Sequence, residues 1–488
     1  MKRMCNLHPW ASAWAVCLTM ALSSSSWAGE DDPWWTTFGD EQLNQFVERA
    51  RGQNANLDVA RARADLSKAT SMTQFAALLP TLQLTATSNV APLNSLGFGF
   101  GLGGGSSFAL PPAAPVPLHQ QFGSVGADQP PEVFSTGNAQ LQARWALDPG
   151  ATFMRYVAAE HDVTASLRDA DQQTLAVAQQ ITQTYFDVLA AHQQIAIVEQ
   201  QIAAQEKLLK VVELRFSQGD ASSVDVLQQR QQVAQAKSQV PTARSQRDAL
   251  KEQLRVLLGV GLDDEFDIDL DVGLPQLTDA TDVDFDKVFD ERPDLAAAKA
   301  RLSAAQSRTT GAWLSLLPTL TLSAQTGPQY RWITDYDDQW QWGVGATLSV
   351  PLFFGQSVGA LRQSQLSETV AAATLRQAKL NTVQAVQLAR VQERELRLQL
   401  DATRTQREAA EATVKAARER YASGLLAYQN VLVAENTHFI SQISLLTLQR
   451  QLLLARLNLV AATAGAFATG ISERPDGTAS SPSSRSAP

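Results

Sequence analysis

The chain has 488 residues, a formal net charge of -9 and a pI of about 5.2, so no basic surface points to nucleic acid. Charged residues at 18% and a mean hydropathy of -0.15 are those of a water-exposed protein. Beyond residue 30 no apolar run is long enough for a transmembrane helix, so a membrane-spanning part must be made of strands, which hide lipid-facing side chains by alternation.

The first segment, residues 1–28, reads as an export signal. Lys2 and Arg3 give a positive start, Trp10 to Leu22 is mainly apolar, and Ser26 with Ala28 fits a small-x-small cleavage site. The alternative is a buried first helix. The acidic run Gly29-Glu30-Asp31-Asp32, which ends the segment abruptly, argues against it. Both cysteines, Cys5 and Cys17, lie in this segment, so the mature chain is expected to have neither disulfide nor thiol chemistry. Cys17 follows Val16 rather than a small residue, which speaks against a lipid anchor.

Residues 29–77 are expected to form helices, and the remainder reads as two copies of one unit. Leu57 and the run Leu78-Leu79-Pro80-Thr81-Leu82 recur 238 residues on, as Leu295 and Leu316-Leu317-Pro318-Thr319-Leu320. Gly150, Gly219 and Val226-Leu227 recur 205 residues on, as Gly355, Gly424 and Val431-Leu432. The offset drops by 33, so the first copy carries that many extra residues, within the Gly-, Pro- and Ser-rich loop 89–136. The expected order is a hairpin of strands over 78–147, a helical hairpin over 148–259, an acidic linker over 260–292, a helix over 293–315, a second strand hairpin over 316–354, a second helical hairpin over 355–468 and a disordered tail over 469–488.

Four segments alternate strictly, as strands with one apolar face do: Thr81 to Ala86, Ala139 to Trp145, Thr319 to Ala324 and Trp340 to Val350. Between their apolar residues stand mostly Gln, Thr, Ser and Gly. This suits a barrel wall with lipid on one side and water on the other, with Trp145, Trp340 and Trp342 in an interfacial aromatic belt. A soluble sandwich with one buried face explains a single such strand, but not four in an exported chain.

Residues 151–218 and 360–423 contain neither Gly nor Pro, so each is expected to form a helix roughly 100 Å long. In the first, a stripe runs through Ala170, Thr174, Val177, Ile181, Thr184, Val188, Ala191, Ile195, Val198, Ile202, Gln205, Leu209 and Val212. Its alternating steps of four and three are coiled-coil spacing. Each long helix ends at a glycine turn, Arg215-Phe216-Ser217-Gln218-Gly219-Asp220 and Arg420-Tyr421-Ala422-Ser423-Gly424. Ser222 or Ser223 can cap the first return helix, and Pro241 is expected to interrupt and kink it. Four strands cannot close a barrel whose known minimum is about eight, so the chain must share its barrel with other copies; three would give twelve strands.

The duplicated Leu-Leu-Pro-Thr-Leu, the helix start Arg292-Pro293-Asp294-Leu295, the Leu257-Leu258-Gly259 close and the two Arg-aromatic-x-x-Gly turns resemble the TolC-type outer-membrane efflux protein family, across nearly the whole mature chain. Arg-Pro-Asp-Leu and the Pro241 region resemble members that work with resistance-nodulation-division pumps, many of which, unlike this chain, carry a lipid-attachment cysteine. The resemblance implies a mixed α/β membrane protein: a homotrimer with a twelve-stranded transmembrane β-barrel in outer-membrane lipid and a long periplasmic α-helical coiled-coil barrel. It implies a passive exit duct coupled through a periplasmic adaptor to an inner-membrane pump. Arg215, Phe216, Gly219, Arg420, Tyr421 and Gly424 then become candidate adaptor-docking residues, although the glycines also serve simply as left-handed turns. Family members often narrow the tunnel near this tip with an aspartate ring. Here the corresponding second-copy residue is Asn430, so Asp225 and Asp220 would carry any acidic constriction, with a solvated helix face as the alternative for both.

An enzyme is the first rival. Of His8, His119, His161, His192 and His438, none falls in a metal-binding spacing, the glycines at 97 to 105 lack a following P-loop Lys-Ser pair, and no cofactor is expected. A periplasmic coiled-coil adaptor or structural rod is the second. It explains the long hairpins but leaves the four alternating strands unexplained.

Overall fold

The computed structural model describes residues 34–92, 133–261, 266–270, 272–275, 277, 285–332, 336–350 and 355–463. The expected signal segment with both cysteines, residues 93–132 of the long loop, part of the linker and the tail 469–488 lie outside the described residues. A short 3-10 turn, Trp34–Phe38, leads into α1 (Glu41–Gln53) and α2 (Ala55–Ala76). Then come β1 (Thr81–Pro92), β2 (Val133–Leu147), α3 (Ala151–Ser217), α4 (Ser223–Leu257), α5 (Phe285–Glu291), α6 (Pro293–Leu314), β3 (Thr319–Trp332), β4 (Tyr336–Ser349), α7 (Gly355–Ala422) and α8 (Tyr428–Ala462). Helices α3 and α7 have 67 and 68 residues, and α4 and α8 have 35 each.

The described residues divide into two compact units. One holds Ala55–Thr174 and Phe289–Gln384; the other holds those up to Asn54, Leu175–Val288 and those from Ala385 onward.

The first unit contains one antiparallel sheet in the order β1-β2-β3-β4. Its register brings like residues to like faces. On one face lie the rows Leu82–Ala143–Ala324–Val344 and Leu84–Leu141–Thr326–Trp342, with Trp145–Leu322–Ala346 toward the helices and Ala86–Ala139 beside Pro328–Trp340 away from them. Trp145 and Trp340 lie six residues apart in register, about 20 Å along the strands, so indoles flank an apolar band. The Trp145 indole donates to the Leu78 carbonyl (3.0 Å) and the Trp340 indole to Thr326 Oγ1 (2.9 Å). Leu84, Trp342 and Val344 are 73–76% exposed, so nothing among the described residues covers this face. At Gly327 a Cβ would stand 1.9 Å from the Ala139 carbonyl oxygen, so only glycine lets β2 and β3 approach there. The edges of β1 and β4 have no partner among the described residues.

Beside the sheet, α6 starts with Pro293 in its first turn, where a missing N–H costs nothing, and Arg292 grips Asp294 (2.9 and 2.7 Å). Ion pairs Arg301–Asp169 and Arg308–Asp162 tie α6 to α3, and Ser71 of α2 donates to Glu160.

In the second unit the four-three stripe of α3, from Val177 on, is the packing seam. Across the whole stripe no residue is exposed, and Val177, Ile181, Val188, Ile195, Val198 and Val212 are buried. Pro241 does not end α4: the helix runs through it. The residue is exposed, so the carbonyl one turn earlier, deprived of its N–H partner, is left to water. Leu257-Leu258-Gly259 closes the hairpin against the end of α1. Asn54 donates to the Leu257 carbonyl (2.6 Å), and a Cβ at Gly259 would stand 2.2 Å from the Gln53 carbonyl oxygen. No helix among the described residues is long and apolar enough to cross a membrane.

Candidate functional site

The tips of the two helical hairpins bring most of the candidate residues together. Gly219 and Gly424 have φ of 87° and 75°, the left-handed region that side chains disfavour. Each reverses its helix by the same pair of bonds. Asp220 N–H donates to the Arg215 carbonyl (2.9 Å) and Gly219 N–H to that of Phe216 (3.0 Å); Leu425 N–H donates to Arg420 (2.8 Å) and Gly424 N–H to Tyr421 (3.0 Å).

Arg215 then leaves its own hairpin. Its guanidinium lies 4.7 Å from the Tyr421 ring centre, donates to the Tyr421 carbonyl, and comes within 3.5 Å of where a Cβ on Gly424 would stand. Tyr421 is buried in a core with Val212, Val226, Val414, Tyr428 and Val431. Its ring tilts against Tyr428 at 6.2 Å. The Tyr428 hydroxyl donates to Gln229 Oε1 (2.7 Å), and Gln229 Nε2 donates to the backbone and side-chain oxygens of Gln205 (2.8 and 2.7 Å). This polar chain crosses between the hairpins inside the apolar core. Burial, with the nearby Asp225 carboxylate and Tyr421 adding to it, pushes the Tyr428 hydroxyl up to about 12. Burial raises Tyr421 too, with Arg215 opposing and Asp225 assisting.

Arg215, Asp220, Asp225, Tyr421, Tyr428 and Gln429 line a cavity of about 260 Å³ at this junction. Asp225 is partly occupied elsewhere. Its carboxylate accepts the Ser222 N–H (3.2 Å) while Ser222 Oγ accepts the Val224 N–H (3.2 Å), a capping box at the start of α4. At the start of α8 the matching residues are Ala427 and Asn430, and Ala427 makes no side-chain cap. Asp220 and Asn430 are exposed.

Arg420 and Phe216 face solvent, whereas Arg215 and Tyr421 hold the two tips to each other. Sequence reasoning missed the apolar residues around them: Leu214, Val224, Leu227 and above all Leu425, which is 78% exposed. A leucine directly after the turn glycine, with no helix face to join, was the available signal. The three tryptophans lie in the sheet of the first unit.

The family described as "Outer membrane efflux protein" matches residues 46–260 and 286–465. The chain belongs to that family. It is an outer-membrane efflux channel protein, extending into the periplasm. This efflux protein is 26% identical over 458 residues to the Pyoverdine export outer membrane protein OpmQ of Pseudomonas aeruginosa, covering 89% of this chain and 87% of that one. In fold it is similar to the outer-membrane channel OprN, with a TM-score of 0.75 at 21% identity over 89% of this chain and 92% of that one. VceC of Vibrio cholerae gives a TM-score of 0.70 at 21% identity, over 88% and 98%.

Proposed function

We propose that three copies of this efflux protein close one twelve-stranded barrel in the outer membrane, continued in the periplasm by a helical tunnel, and that the chain is an internal duplication exported by residues 1–28. The hairpin tips dock a periplasmic adaptor that links the duct to an inner-membrane pump. The pump supplies the energy, and the duct contributes position, shape and gating. Phe216 and Arg420, with Leu425 beside Gly424 in the second turn, form the docking surface. Gly219 and Gly424 keep the turns tight enough to be approached, and Arg215 and Tyr421 hold the two tips in register. Asp220, Asp225 and Asn430 surround the narrowest point, where Asn430 makes the constriction less acidic than an all-aspartate ring.

The observation that carries this reading is the sheet, apolar on one face, amide-rich on the other and unpaired at both edges. Lipid tolerates no open strand edge, so the edges need copies of themselves. The double family match and the paired helix lengths support the duplication. The test is light scattering of protein extracted from the outer-membrane fraction, before and after boiling. A heat-sensitive trimer is expected, and a monomer in the soluble fraction would overturn the shared barrel. For the constriction, Asp225→Ala in planar bilayers should raise conductance; unchanged conductance and cation selectivity would remove Asp225 from the gate.

A further inference from the structure

Among its described side chains, the amide-rich face of the sheet is neutral except at one place. Register aligns Gln83–Gln142–Gln325–Gly343, then Thr85–Gln140 with Gly327–Gln341, then Thr87–Asn138–Gln329–Gln339. One step toward the helices the row reads Thr81–Arg144–Ser323–Gly345. Among the described side chains of the four strands, Arg144 is the only charged one. It is exposed and has no ion-pair partner among the described residues. The acid nearest in sequence, Asp148, is committed to the start of α3, accepting from the backbone N–H groups of Gly150 (3.0 Å) and Thr152 (2.9 Å). Its row neighbours leave room: Gly345 has no side chain, and the Ser323 hydroxyl turns to the Gly345 carbonyl (3.4 Å).

An uncompensated guanidinium on a wall of neutral amides offers a fork of donors that fits carboxylate and phosphate oxygens. Inside a duct with low-dielectric walls such a charge acts at long range, and rings of Arg or Lys select anions. Twelve strands about 4.8 Å apart and tilted about 40° enclose a backbone cylinder of roughly 12 Å radius, so three long side chains from one level can converge on one solute.

We infer that Arg144 of each chain contributes to a ring at the helix-proximal end of the barrel that binds multivalent anions, the phosphate- or carboxylate-bearing solutes that pass through. This rests on the trimeric barrel proposed above. The test is calorimetric titration of detergent-purified full-length protein with inorganic triphosphate at low salt, with the mass of the same sample read by light scattering. The expected result is a trimer binding one triphosphate per three chains, at least tenfold more weakly in Arg144→Gln and with most of the affinity kept in Arg144→Lys. No binding by the wild type, equal binding by Arg144→Gln, or one anion per chain overturns the ring while leaving the barrel standing. A monomeric mass overturns the barrel itself, and the ring with it.

Discussion

Between Ser217 and Ser223 and between Ala422 and Tyr428 the chain reverses by the same device, a left-handed glycine with two crossed backbone bonds. The two return helices begin differently. The first starts on a reciprocal Ser222–Asp225 box, while the second starts at Ala427 with no side-chain cap. The second tip is instead held from outside, by Arg215 reaching over from the first and by Tyr428 bonded to Gln229. One tip is therefore self-sufficient and the other borrows its order. A duct that opens at its tip can do so by breaking borrowed contacts without unfolding a helix start.

The largest expected effect comes from the shared polar chain. Gln229→Ala strands the Tyr428 hydroxyl and the Gln205 amide in the core and should cost roughly 3 kcal/mol, lowering the thermal midpoint of the purified protein. No change would mean that water replaces the amide and that the two tips are not coupled there. Gly219→Ala and Gly424→Ala should each cost about 1–2 kcal/mol for the left-handed backbone alone, because neither Cβ meets a contact closer than 3.5 Å. A much larger loss at one would break the equality of the turns. Ser222→Ala should cost about 1 kcal/mol, and Ala427→Ser should restore part of that amount to the second tip. If the two substitutions shift stability in the same direction, the capping asymmetry is not what separates the tips. Arg215→Gln removes a partly exposed cation from the Tyr421 ring, about 1 kcal/mol, and should raise open probability in bilayers more than it lowers the thermal midpoint.

The smallest effect is set by pH. Tyr428 is held protonated to about 12, whereas the unfolded chain releases that proton near 10. Above pH 10 the folded form binds the extra proton, so stability falls as pH rises through this window. Tyr428→Phe should be less stable below pH 10 and should lose less between pH 10 and 12 than the wild type. Parallel curves for the two proteins would show that the hydroxyl is not buried in solution.

The order of elements was legible because each rests on a local rule: Leu84 and Leu141 alternate with Gln, Val188 and Ile195 keep the four-three step, and Gly219 and Gly424 end runs free of other breakers. Pro241 shows the limit of such rules. A proline suggests an interruption, but the helix carries it on an exposed face, and exposure is not written in the neighbouring residues. The tip was legible as a place and much less so as a set of roles. Phe216 and Tyr421 look alike in their two Arg-aromatic pairs, yet Phe216 is half exposed and Tyr421 buried, because Arg215 reaches Tyr421 across 206 residues. The Gln205–Gln229–Tyr428 chain gave no sequence signal, since glutamines are abundant in these helices.

The bare edges of β1 and β4 have a consequence for inheritance. If three copies close one barrel as proposed, a chain that pairs both edges with its siblings is never neutral when damaged: one faulty β4, mixed with sound copies made in the same cell, caps a growing ring and wastes its partners. Loss of the gene would then be milder than a lesion at Trp342 or Val344, and such lesions should behave as dominant.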